Sequence, residues 1–379
     1  MKMNSRNATT ASSTLIDRLL IIASEKGASD LHLSRHCYPT YRIGGELFTD
    51  DAQEPMDDPQ LEAIMQALLS QLRRESFERQ GSADISYSCN GERFRINLYR
   101  ERGAIAVAAR RLDGATHTLA TLRLPPQLEK LTHFHEGLVL ITGATGSGKS
   151  TTLASLINEI NSQRRCHILT IEEPVEYIHC NQMATVHQRE VGTDAISFAQ
   201  AIKDALREDP DVILLGEMRD TETMSAALTA AETGHLVFST LHTNDAVGVI
   251  DRLVGAFQGD EQDGVRKQLS MVLRAVVTQR LLRSGQEGQT GRIPVNEILM
   301  VNNAVASLIR NHKPEQIRSV METGRAEGNQ TLELALALRV KERLISKELA
   351  LSHTSKGEYL EDLLRVLQAE SRQRLGEAG

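Results

Sequence analysis

Residues 143–150 read Gly143-Ala144-Thr145-Gly146-Ser147-Gly148-Lys149-Ser150 and satisfy the spacing G-x-x-x-x-G-K-[ST] of a phosphate-binding loop. The glycines let backbone N–H groups turn inward around phosphate oxygens, and a helix leaving such a loop adds the positive end of its dipole. Lys149 would reach the β- and γ-phosphates, the Ser150 hydroxyl would take a Mg²⁺ position, and Thr151 follows in the same turn. A glycine turn carrying a solvated lysine is the plain alternative. The apolar run Leu138-Val139-Leu140-Ile141 leading in, and the helical pattern leading out, argue against it. The stretch reads as a nucleoside triphosphate site that uses Mg²⁺.

Such a site also needs carboxylates at the carboxyl ends of neighbouring strands. Val212-Ile213-Leu214-Leu215 ends in Gly216-Glu217, and Ile168-Leu169-Thr170-Ile171 ends in Glu172-Glu173. Glu217 stands where an Asp more often ends such a strand, and its longer arm suits it to polarise an attacking water. An acid after a strand is otherwise a helix cap or a solvated charge, so the nearby phosphate loop gives these three their weight. A further apolar strand, Leu236–Thr240, is bracketed by His235 and His242. Seven residues of extended chain separate two imidazoles by about 23 Å, which excludes a shared metal. His242, at the carboxyl end, is placed to sense a γ-phosphate or to bridge to a neighbouring subunit.

The elements that must hold these residues follow from patterning. Apolar strands at Leu138–Thr142, His167–Ile171, Val212–Leu215 and Leu236–Thr240 alternate with helical stretches at Lys149–Asn161, Phe198–Arg207, Thr221–Thr233 and Ala246–Phe257. That alternation predicts a parallel sheet covered on both faces, an α/β fold. From about Gln262 onward helices are expected to predominate, with one strand at Arg292–Leu299. Upstream, Thr14 is placed to cap a helix that Gly27 ends, and a second helix is expected to run to about Gln80. Short alternating segments surround Gly44-Gly45, Asn90-Gly91 and Arg102-Gly103, three hairpin-turn pairs, so the first hundred-odd residues read as a small α+β domain. The expected division is a loose tail over 1–13, an N-terminal domain over 14–112, a connector with Pro125-Pro126 over 113–135, a parallel-sheet core carrying the phosphate loop over 136–300 and a helical region over 301–379.

The 379 residues carry 43 Lys+Arg against 50 Asp+Glu, a formal charge of −7, with no Trp, 6 Tyr and 7 Phe. That composition offers neither a global basic surface nor a base-stacking platform, so no nucleic-acid partner is expected. The four cysteines, Cys37, Cys89, Cys166 and Cys180, form no CxxC pair, which excludes a zinc ribbon and a secreted disulfide scaffold. With no signal-type or membrane-spanning run, the chain reads as soluble and cytoplasmic.

In order, GATGSGKS, ILTIEEPVEYIH, DPDVILLGEMRD and AETGHLVFSTLHTNDA resemble the boxes of the type II/IV secretion ATPase superfamily. More narrowly they resemble those of the type IV pilus retraction ATPases, the twitching motility ATPases. The likeness runs from the DLHLS segment at Asp30 to LSMVLRAVVTQRLL ending at Leu282. It implies a PAS-like N-terminal domain, a RecA-like ATPase domain and a homo-hexameric ring that hydrolyses ATP with Mg²⁺ to do mechanical work. ATP would lie between the domains of one subunit and against a neighbour. It also implies peripheral association with the inner membrane, a pilus platform protein there as partner, and a paralogous pilus ATPase as a further one. Glu217 matches the Walker B glutamate, Glu172 and Glu173 the acidic box (with Glu173 where Asp is usual), and His235 and His242 the His box. Arg95, Arg102, Arg110 and Arg111 match N-terminal arginines that approach the phosphates, where a guanidinium neutralises charge on the transferring group.

Assembly or secretion ATPases are the nearest competing reading. Those relatives carry a longer N-terminal region and a tetra-cysteine element, and neither is found here. A nucleic-acid translocase disagrees with the charge, and an inactive ring partner disagrees with an intact loop and Glu217. A retraction-type helix of pattern A-I-R-x-L-I-R-E aligns with Ala304–Asn311, where Arg310 is kept but Ala306 and Asn311 replace an arginine and a glutamate.

Overall fold

The computed structural model describes residues 14–112, 114, 117–284 and 291–376. The expected tail over 1–13, and residues 113, 115 and 116 of the expected connector, lie outside the described residues. The chain divides into two units, one made of residues 1–115 with Glu173–Ile178 and Gly192–Asp194, the other of the remainder.

The first unit is ordered α1 (Leu15–Glu25), β1 (Asp30–Leu33), β2 (Thr40–Ile43), β3 (Glu46–Thr49), α2 (Asp58–Leu68), α3 (Gln71–Gln80), β4 (Ser82–Cys89), β5 (Glu92–Glu101) and β6 (Ala104–Leu112). Thr14 caps α1 as expected: its hydroxyl accepts from the Asp17 N–H, and the Asp17 carboxylate accepts from the Thr14 N–H at 2.9 Å. The single helix expected up to Gln80 is two helices. Leu69 leaves the helical region and Ser70 caps the second. The strands form one antiparallel sheet in the order β3-β2-β1-β6-β5-β4. Its hairpins turn on Gly44-Gly45, Asn90-Gly91 and Arg102-Gly103, each with both central residues at positive φ, the geometry whose twist matches the strands. Ile16, Leu20, Leu61 and Ile64 of the helices pack on Leu31, Phe94, Ile96 and Val107, so one sheet face is the core of this unit.

The second unit carries β7 (Gly137–Thr142), α4 (Lys149–Gln163), β8 (His167–Glu172), β9 (Thr185–Glu190), α5 (Phe198–Ala205), β10 (Val212–Leu215), α6 (Thr221–Glu232) and β11 (Leu236–Leu241). There follow α7 (Gly248–Val254), α8 (Gln262–Val272), β12 (Leu273–Arg283), β13 (Arg292–Met300), α9 (Asn303–Arg310), α10 (Ile317–Thr323), α11 (Leu332–Lys341), α12 (Lys347–Ser352) and α13 (Gly357–Gly376). The sheet order is β13-β12-β7-β11-β10-β8-β9, parallel throughout except for the antiparallel β12–β13 pair. Two strands differ from expectation: β9 lies where the sequence pattern predicts no strand, and β12 occupies a stretch expected to be helical. Every residue of β7 is buried because helices cover both faces. Val139 and Ile141 pack on Leu153, Leu156 and Ile157 of α4, while Leu138 and Leu140 join Ala227, Leu228 and Leu269 on the other side. This is the RecA-like arrangement, and it aims the carboxyl ends of β7, β8, β10 and β11 along one rim. Among the described residues no helix is long and apolar enough to cross a membrane.

Candidate nucleotide site

The loop from Gly143 to Gly148 leaves the buried end of β7 and closes on the first turn of α4. Gly143, Gly146 and Gly148 take φ of +138°, +77° and +85°. A Cβ on Gly143 would stand 2.3 Å from the Gln279 carbonyl oxygen, and one on Gly148 2.8 Å from Gln279 Nε2, whereas one on Gly146 would meet open space. The loop is therefore a cradle whose backbone is pressed against β12. Lys149 is buried, and its Nζ donates to the carbonyls of Gly143 at 2.9 Å and Ala144 at 3.1 Å. Burial lowers its pKa, and the Glu217 carboxylate opposes that shift. Ser147 Oγ is buried and has no hydrogen-bond partner among the described residues. A glycine cradle, a helix N-terminus, a lysine and an unpartnered hydroxyl fit a phosphate chain. Gly143→Ala is expected to add about 1–3 kcal/mol of backbone strain and to displace the loop, weakening nucleotide binding by about tenfold or more. Gly146→Ala should add only about 1–2 kcal/mol. Nucleotide titration and melting of both variants check this, and equal binding by the two would remove the argument from the β12 contact.

Gln279 is not among the residues that the sequence pattern singles out. Its Nε2 donates to the Ser147 carbonyl at 2.7 Å, and its Oε1 accepts from Thr152 Oγ1 at 2.7 Å and from Asn296 Nδ2 at 2.9 Å. Beside it Thr142 and Thr278 share a hydroxyl–hydroxyl bond of 2.8 Å. The signal was present: a Gln and an Asn inside apolar runs are costly to bury unless hydrogen-bonded. A cavity of about 430 Å³ opens beside the loop, lined among others by Asn244, Thr278, Arg280 and His353.

Glu217 follows β10 after a single residue, Gly216, whose N–H donates to the Ile171 carbonyl and whose carbonyl accepts from Thr240 Oγ1 at 2.6 Å. Its mostly buried carboxylate is paired with Arg219 and stands 3.4 Å from His242 Nε2. His242 sits just beyond the end of β11 and His235 just before its start, at opposite ends of the strand. His235 Nδ1 lies 2.9 Å from the Ala230 carbonyl, a packing contact away from the phosphate loop. Glu172 closes β8 and accepts from Thr170 Oγ1 at 2.7 Å and from Gln188 Nε2 at 3.3 Å. Glu173 belongs to the other unit.

In the first unit, strand alternation sorts the arginines. Arg95 and Arg110 lie directly opposite each other on β5 and β6. Two like charges so placed repel. Each has its own acid: Arg95 pairs with Asp84 at 2.5 Å and Glu176 at 3.3 Å, Arg110 with Asp30 at 2.8 Å. Arg111 turns to the opposite face, 3.8 Å from Glu92, and Arg102 stands at the β5–β6 turn, about 23 Å along the strand from Arg95. The sheet thus brings Arg95 and Arg110 together and separates the other two from them. In α9, Val305 and Ile309 are fully buried while Arg310 is exposed.

A family model described as "Type II/IV secretion system protein" matches residues 8–365. The chain is 40% identical over 334 residues to the "Type IV pilus retractation ATPase PilT" of Pseudomonas aeruginosa, covering 88% of this chain and 96% of that one. It is 42% identical over 315 residues to a "Twitching motility protein" of Neisseria gonorrhoeae, covering 83% of each. Among solved structures it resembles the "Pilus Retraction Motor PilT and Bound ADP", with a TM-score of 0.82 and 40% identity over 93% of this chain and all of that one.

Proposed function

The chain belongs to the type II/IV secretion system protein family, and from that premise we propose that it is an ATP-hydrolysing motor that powers retraction of a type IV pilus. The observation that carries the reading is one rim of one sheet, where a cradle holding Lys149 lies within electrostatic reach of a carboxylate, Glu217, that is itself paired to His242. Backbone N–H groups over Gly143–Thr151 bind the phosphates, and Lys149 neutralises the β/γ pair. Glu217 polarises the water that attacks the γ-phosphorus as the bridging oxygen leaves with ADP. His242 orients Glu217 toward that water. Ser150 and Glu172 would hold Mg²⁺, which would supply charge neutralisation to the phosphates, and Glu173 is the second member of the acidic box. Arg95 and Arg110, supplied by a neighbouring copy in a hexameric ring, stabilise the charge that develops on the γ-phosphoryl group. Arg102 and Arg111 remain candidates for the same work. The domain division expected from the sequence, a cytoplasmic ring on an inner-membrane platform protein and a paralogous pilus ATPase as a further partner belong to the same proposal.

The test is a strain lacking this gene. Surface pili should persist or accumulate while twitching and retraction stop. Complementation with Arg310→Ala should leave ATP hydrolysis within about threefold of wild type but impair retraction, because this exposed charge sits on a helix whose packing face is untouched. Loss of all surface pili in the deletion strain would overturn retraction in favour of assembly.

A further inference from the structure

We infer that Glu297 and Arg280 are positioning residues that hold the loop after β11, and through it His242, in the geometry that serves Glu217. The inference rests on the role just proposed for His242. The loop from Thr243 to Val247 joins β11 to α7 outside any strand. Asp245 accepts from the Gly248 N–H at 2.7 Å, a bond within the loop's own corner. Two side chains reach it from elsewhere. Glu297 Oε2 on β13 accepts from the Ala246 N–H at 2.8 Å, and Arg280 Nη2 on β12 donates to the Asn244 carbonyl at 3.3 Å. The other arginine nitrogen donates to the His353 carbonyl at 2.9 Å, tying the same point to the helical region beyond α12.

The register of the β12–β13 pair explains the placement. Gln279 and Asn296 are directly opposite and support the phosphate loop, whereas Glu297 opposes Thr278 and Arg280 opposes Val295. Alternation therefore puts Glu297 and Arg280 on the face opposite Gln279. One two-stranded ribbon braces the phosphate loop from one face and the His242 loop from the other. A carboxylate is a costly group to enclose merely to accept one backbone bond. Glu297 is almost fully buried, and enclosure pushes its pKa upward.

The experiment is a double-mutant cycle on ATP turnover by the purified full chain. Glu297→Leu should lower kcat at least tenfold with KM for ATP within threefold of wild type. Glu297→Gln, which keeps an acceptor oxygen, should restore kcat to within threefold. In a His242→Ala background, adding Glu297→Leu should change kcat less than twofold, since its effect passes through that imidazole. Wild-type kcat in Glu297→Leu, failure of Gln to rescue, or a full additional loss on top of His242→Ala would each overturn the inference. If His242→Ala itself turns over normally, the proposed role of His242 fails first and takes this inference with it. An impaired His242→Ala beside a normal Glu297→Leu fails the inference alone. Should Glu297→Leu not fold, Arg280→Met removes the other tether and is read by the same cycle.

Discussion

Lys149→Ala is expected to abolish productive ATP binding, while Glu217→Gln binds ATP nearly normally and hydrolyses it about 100- to 10,000-fold more slowly. The two residues share one field but hold different positions in it. Lys149 is buried in the cradle, with its ammonium already aimed at the loop's interior. Bonds from it to phosphate oxygens would be charge-assisted, each worth about 1.5–3 kcal/mol, so losing two would weaken binding by about 150- to 20,000-fold. Glu217 lies instead at the end of the neighbouring strand system, held by Arg219 and His242. Replacing its carboxylate by an amide keeps the shape and removes the base. Nucleotide titration and single-turnover hydrolysis of both variants distinguish the roles. Near wild-type turnover in Glu217→Gln would remove Glu217 from the chemistry, and tight binding by Lys149→Ala would do the same for the lysine.

Gln279→Ala is expected to destabilise the second unit by about 3–5 kcal/mol and to weaken nucleotide binding with it. The substitution leaves the Ser147 carbonyl, the Thr152 hydroxyl and the Asn296 amide without their partner, all inside the protein. Each orphaned buried group costs about 1–3 kcal/mol, and neighbours in one network do not add fully. At this size the melting temperature should fall by roughly 10 °C. Thermal unfolding, with and without nucleotide, measures both effects. A loss below about 1 kcal/mol would mean that the phosphate loop holds its shape without β12.

Much of this arrangement was legible in the chain itself. The strand–glycine–helix succession at 138–163 is a local signal, and so are the hairpin pairs, because Gly and Asn adopt positive φ at little cost. Glu217 and His242 stood out because each lies within two residues of the end of a short apolar strand. What escaped has a common physical origin. β12 is buried over most of its length, so its residues show no clean apolar–polar alternation, and α8 passes into it at Val272–Leu273 with no glycine or proline between them. The β-branched trio Val276-Val277-Thr278 was the available hint. Missing β12 hid Gln279 and Arg280 as well, since both matter only through the register with β13. β9 escaped because its residues alternate around polar side chains at the sheet edge. The separation of Arg95 and Arg110 from Arg102 and Arg111 needed the register of β5 on β6, which no spacing in one strand supplies.

The ribbon of β12 and β13 also has a mechanical meaning. Its register is unbroken from Ala275 opposite Met300 to Arg283 opposite Arg292. Tension along the strand axes is shared among all of those cross-strand bonds at once, the shear geometry, whereas tension across them would open the bonds one by one from an end. The strand that touches the nucleotide cradle is therefore stiff in the direction of its own length. A displacement begun at the phosphates would travel along it as a push on a rod rather than fade into a bending sheet.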